Sequence, residues 1–133
     1  FFFVFNQFPF SFSISFQLLF FLNLSSLIMS VHHVHTPAEY NKLMETPEKL
    51  VIADFSASWC PPCRMFAPIF ESMAAKYPDV IFIHVDVDEL DSLPHVQGVT
   101  GVPTFMYFKN SKKVDEFSGA SQDRFEKAIK KHM

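Results

Sequence analysis

The sequence predicts an α/β fold, a central mixed β-sheet flanked by helices on both faces. Three observations carry that expectation. Residues 50–57 and 80–87 are apolar runs too continuous to have a wet face, and they alternate with stretches of helical periodicity. Two strand-like runs, 104–108 and 112–117, follow each other across the turn pair Asn110-Ser111, which makes the sheet mixed. The only two cysteines, Cys60 and Cys63, stand directly after the first apolar run, where a strand hands over to a helix.

In chain order, residues 31–35 read as a short first strand. Thr36-Pro37 then opens a helix carrying Ala38, Tyr40, Leu43 and Met44, with Thr36 as N-cap and Pro37 at the first helical position. Residues 50–57 form the second strand. After the cysteines, Phe66, Ile69, Phe70, Met73 and Tyr77 recur at helical spacing, with Pro68 expected to kink that helix. Residues 80–87 are a third strand, and 90–96 a short helix or turn followed by the breakers Gly98 and Gly101. The hairpin comes next and ends at Gly119. Ser121 caps a last helix with Phe125, Ala128 and Ile129 on one face. The order is β-α-β-α-β-α-β-β-α.

Composition divides the chain. Residues 1–28 hold ten of the eighteen phenylalanines and no charged residue or histidine; all eleven basic and fourteen acidic residues lie at Met29 or beyond. Phe, Ser, Leu and Pro share pyrimidine-rich codons, so residues 1–28 are expected to be a translated upstream leader outside the domain. A signal or anchor segment is the alternative, weakened by the missing basic flank and by a uniform piece, 18–29, shorter than the roughly 20 residues of a spanning helix. Residues 29–133 are then one domain, long enough for a modest core. The net charge of −3 and the lack of a basic run argue against a nucleic-acid partner.

The chemistry is expected at Trp59-Cys60-Pro61-Pro62-Cys63. A helix start presents unpaired N–H groups and positive partial charge, which favour a thiolate. Two cysteines so placed can close and reopen a small ring by thiol–disulfide exchange. The competing reading is a structural pair or half a zinc site. Zinc requires four ligands, and the sequence offers no second cysteine pair. His32, His33 and His35 read as solvated strand-edge residues rather than a metal site. Asp54 is an acid within an apolar strand, and burial without a partner would raise its pKa.

Asp54-Phe-Ser-Ala-Ser-Trp-Cys-Pro-Pro-Cys-Arg64, Pro68, Gly98 and Gly101-Val-Pro-Thr104 resemble a thioredoxin over nearly all of residues 30–133. The Pro-Pro centre is similar to that of some plant cytosolic thioredoxins and of tryparedoxins. It also occurs in membrane-tethered extracytoplasmic reductases. The run Val85-Asp-Val-Asp-Glu-Leu90 is closer to the plant group.

The resemblance implies a protein disulfide reductase. Cys60 is the attacking thiol, at the surface; Cys63 is buried and resolves the mixed disulfide; Asp54 takes the Cys63 proton. It implies that Pro103 follows a cis bond, where sequence alone suggests a trans turn. The Val102 backbone is then open to an extended substrate. Trp59 is expected to support the active-site loop, with an ordinary core tryptophan as the alternative. Pro61 and Pro62 stiffen the ring. Many family members place a lysine near the acid; here His84 holds that position, which leaves the usual coupling open.

The implied partners are disulfide-containing protein substrates and a reducing system. That system is an NADPH-dependent thioredoxin reductase or glutathione and glutaredoxin, or trypanothione in the tryparedoxin reading. The chain has no Gly-rich nucleotide loop, so no NADPH, other cofactor or metal is expected on it, and the cytoplasm is the expected location. The rivals are a tethered extracytoplasmic reductase and a non-catalytic binding module that uses the same groove.

Overall fold

The computed structural model describes residues 31–133; the leader proposed for residues 1–28 lies outside them. Five strands and four helices follow the expected order. They are β1 (His32–Val34), α1 (Pro37–Met44), β2 (Leu50–Ser56), α2 (Pro61–Lys76), β3 (Ile81–Asp86), α3 (Pro94–Gln97), β4 (Thr104–Lys109), β5 (Lys112–Ser118) and α4 (Gln122–His132). The strands lie side by side as β1-β3-β2-β4-β5. β1, β3 and β2 are parallel; β4 and β5 are antiparallel. The mixed sheet is as expected.

Helices cover both faces. On one side Phe66, Phe70, Met73 and Ala74 of α2 and Phe125, Ala128 and Ile129 of α4 pack over Ile52, Phe82, Phe105 and Tyr107. On the other, Tyr40 and Met44 of α1, with Leu90, Leu93 and Val96, cover Ala53, Phe55, Ile83, Val85 and Met106. Every residue of β2 is buried, which is why that strand lacks a polar alternation. The site grows from the C-terminal end of this central strand.

Local signals act as their chemistry requires. The Thr36 hydroxyl accepts a hydrogen bond from the Glu39 N–H at 3.3 Å, and Glu39 Oε2 accepts one from the Thr36 N–H at 3.3 Å, a reciprocal capping box. Asn110 and Ser111 both adopt positive φ, 51° and 63°, which matches the twist of a two-residue hairpin. Asn110 Oδ1 also accepts from the Glu48 N–H at 3.0 Å, tying the hairpin to the loop before β2. Gly119 ends β5 at φ 101°, a conformation that favours glycine.

Two details add to the expectation. The stretch 90–96 is a turn with a single helical turn behind it, because Pro94 supplies a preset first position only there. The β4–β5 ladder shifts register between Tyr107 and Phe108, which skips Val114 and leaves it exposed. Pro68 lies inside α2 without ending it. Among the described residues no helix is long and apolar enough to cross a membrane.

Candidate active site

Cys60 is the N-cap residue of α2, with extended backbone, and Pro61 and Pro62 fill the first two helical positions. Proline carries no N–H, so the first donor the helix start offers is that of Cys63. It points at Cys60 Sγ from 3.3 Å. The two prolines thus concentrate the positive end of α2 on one sulfur. Cys60 and Cys63 are joined as a disulfide, with Cα atoms 5.3 Å apart.

The exposure of Cys60 needs correction. The residue is only 3 % exposed and Cys63 only 6 %. Both pack with Ala57, Val87 and Val102. The ring is folded beneath the 101–103 loop, and Cys60 Sγ lies 3.7 Å from the Val102 carbonyl oxygen. Exposed Trp59, Pro61 and Pro62 surround the buried pair. An exposed rim thus stands between solvent and the two sulfurs.

Val102–Pro103 is cis, as the resemblance implies. The Thr104 hydroxyl donates to the Gly101 carbonyl at 2.5 Å, and the Gly119 N–H donates to the Pro103 carbonyl at 2.9 Å. These bonds hold the loop on both sides. The Val102 N–H has no backbone acceptor among the described residues, which leaves it free for an extended peptide.

Asp54 lies on β2, inside the sheet. Its side chain is 7 % exposed, and His84 Nδ1 stands 3.2 Å from Oδ2. Parallel register sets the pair, because Asp54 is directly opposite His84 on β3. Oδ1 has no hydrogen-bond partner. Burial holds the Asp54 carboxyl above the usual carboxylate value, with His84 and Ser56 opposing. The hydrogen bond to Asp54 raises His84 above its ordinary value, against burial. Both shifts say that the pair holds a proton more firmly than either group would in water. A cleft of about 210 Å³ joins Asp54, His84, Cys63 and Arg64. That volume has room for the water a relay to Cys63 would use.

Trp59 is 65 % exposed, not a core residue. Its indole N–H donates to Asp88 Oδ2 at 2.8 Å, which pins the active-site loop to the turn after β3. Nothing in the local sequence pattern marks Asp88 as an acceptor. Ser56, whose hydroxyl lies 3.4 Å from His84 Nδ1, joins the site without a motif to mark it. The period-two rule offered its signal: Ser56 shares a face with Asp54. His32 and His33 are exposed on the edge strand, as expected.

The thioredoxin family model matches residues 31–131. The chain belongs to the thioredoxin family. A thioredoxin of Ophiophagus hannah is 49% identical over 92 residues, 69% of this chain and 88% of that one. Thioredoxin H-type 1 of Nicotiana tabacum is 43% identical over 105 residues, 79% of this chain and 83% of that one. Among solved structures, a thioredoxin of Nicotiana alata superposes with a TM-score of 0.73 at 39% identity, covering 77% of this chain and 91% of that one. Fasciola hepatica thioredoxin gives 0.74 at 38% identity, covering 77% and 100%. This thioredoxin is a thiol–disulfide oxidoreductase, and Cys60 and Cys63 are its redox pair.

Proposed function

We propose that Cys60 attacks a substrate disulfide, that Cys63 resolves the mixed disulfide, and that Asp54 takes the Cys63 proton. The Cys63 N–H aimed at Cys60 Sγ from 3.3 Å carries this reading, because it stabilises a thiolate on Cys60 alone. In the first step the Cys60 thiolate bonds to one substrate sulfur, and the other leaves and takes up a proton. In the second, Cys63 gives its proton to Asp54 and bonds to Cys60 Sγ. As that bond forms, the substrate sulfur held on Cys60 leaves as a thiolate and takes up a proton from water. The dithiol loses two electrons and the substrate disulfide gains them.

Trp59, Pro61, Pro62, Val102 and Pro103 form the rim and strand-pairing edge that receive a protein substrate. The electrons come from an NADPH-dependent thioredoxin reductase or from glutathione and glutaredoxin, in the cytoplasm. Similarity to plant H-type relatives supports that assignment. Residues 29–133 carry the whole activity, consistent with the span matched by the family model. Insulin reduction by a chain beginning at Met29, driven in turn by each reducing system, tests this. Activity with thioredoxin reductase or with glutathione and glutaredoxin is expected. Activity with trypanothione alone, or only with residues 1–28 attached, would overturn it.

A further inference from the structure

His84 has an unusual place in this site. One row of side chains crosses the sheet on the α2 side: His33, His84, Asp54, Phe105 and Phe117, in strand order β1-β3-β2-β4-β5. At the far end of the row Phe105 and Phe117 are buried. Asp54 is 7 % exposed, whereas the His84 side chain is 31 % exposed. His84 also lines the cleft that holds Cys63. Asp54 is therefore walled off from bulk water, and the group in hydrogen-bond contact with it is a partly open imidazole.

We propose that His84 is a positioning residue for the resolving step, exchanging protons between Asp54 and solvent. The proposal rests on the reading of Asp54 as the base. Asp54 must be a carboxylate before it can take the Cys63 proton, so a carboxyl that burial keeps protonated has to release its proton before resolution. With Nδ1 as acceptor, the imidazole takes that proton across the 3.2 Å contact and yields one from its other nitrogen. One proton enters the ring and one leaves, so its charge is unchanged over the exchange. Imidazole suits this role because both its nitrogens bind and release protons near neutral pH. A lysine ammonium at the same place could donate a hydrogen bond but has no lone pair with which to accept the proton.

The same contact makes the step depend on pH. An imidazolium beside Asp54 weakens the carboxylate as a base; a neutral ring restores it. The charged and titratable groups facing His84 are His33 from β1, Asp54 from β2, Asp86 on its own strand, and Glu71 and Arg64 from α2. The His33 ring lies 5.0 Å from that of His84 and opposes a second positive charge. The three carboxylates favour the imidazolium, with Asp54 first among them. Resolution should therefore accelerate as pH rises through a value above the ordinary 6.5 of histidine.

The test is single-turnover decay of the mixed disulfide at low buffer, from about pH 6 to about pH 9, with and without added imidazole. Wild type, His84→Gln, His84→Lys and Asp54→Asn are compared. Wild type should be insensitive to imidazole. His84→Gln should slow roughly tenfold, short of the roughly hundredfold or greater loss of a general base. It should lose the inflection and recover speed with imidazole. If His84→Gln does not fold, His84→Lys must show the same lost inflection and the same rescue. Wild-type rate and pH profile in these variants, or slowing that imidazole does not relieve, would overturn the role of His84. Wild-type resolution in Asp54→Asn would instead overturn Asp54 as the base, a separate failure.

Discussion

Asp54→Asn should make the oxidised protein more stable, and by more at higher pH. The carboxylate is nearly fully enclosed, and one oxygen lacks a partner. Burying an ion costs several kcal/mol even after relaxation, and a hydrogen bond to a charged group returns about 1.5–3 kcal/mol. Asparagine keeps an acceptor for His84, while its amide N–H meets the cleft at a cost of about 1 kcal/mol. The balance is a gain of about 1 kcal/mol, or roughly 4–8 °C in Tm for a domain of about 100 residues.

The sign with pH follows from the direction of both shifts. Asp54 is raised above 3.8 and His84 above 6.5. Each contribution is complete below the unfolded value and is lost as pH rises through the folded one. The wild type therefore loses stability through that window, and the variant, lacking the carboxylate, loses less. Thermal melts of the oxidised proteins at about pH 6 and about pH 8 measure the difference. A variant less stable than wild type at the higher pH would show that the Asp54–His84 pair is net stabilising, and the desolvation argument would fail.

Two further outcomes follow from packing and from the loop. Phe125 is fully buried against Phe66, Phe105 and Phe117 at centroid distances of 5.3, 4.9 and 6.5 Å. Phe125→Ala should cost about 3–5 kcal/mol in urea unfolding, a large part of a typical domain's stability; a cost below about 1 kcal/mol would mean that the cluster is not the core. Asp88→Ala removes the acceptor of the exposed Trp59 indole and should alter Trp59 fluorescence while changing stability by only about 0.5–1.5 kcal/mol. An unchanged spectrum would show that the bond does not hold the indole in solution.

The order of elements along the chain was legible because its signals were local. Continuous apolar runs demanded a buried sheet, Thr36 and Ser121 marked helix starts, and Asn110-Ser111 marked the hairpin. The redox pair was legible because both sulfurs lie within one helical turn. What local pattern could not derive depended on register: the resemblance placed His84 near Asp54 but left their coupling open. The Asp54–His84 contact spans 30 positions, and only the parallel pairing of β2 with β3 makes the two neighbours. Asp88 reaches Trp59 through a turn whose path no periodicity encodes. The burial of Cys60 depends on the 101–103 loop folding over it, a tertiary contact 42 positions away.

The assignment of roles to the two cysteines is tested most directly by intact-mass measurement of Cys63→Ser and Cys60→Ser after incubation with a disulfide-bonded protein. With Cys63 removed, the mixed disulfide on Cys60 has no internal thiol to resolve it. The account predicts a stable covalent adduct on Cys63→Ser and none on Cys60→Ser, whose remaining sulfur lacks the helix-start N–H that points at Cys60 Sγ. Equal adducts on both variants, or an adduct on Cys60→Ser alone, would contradict it.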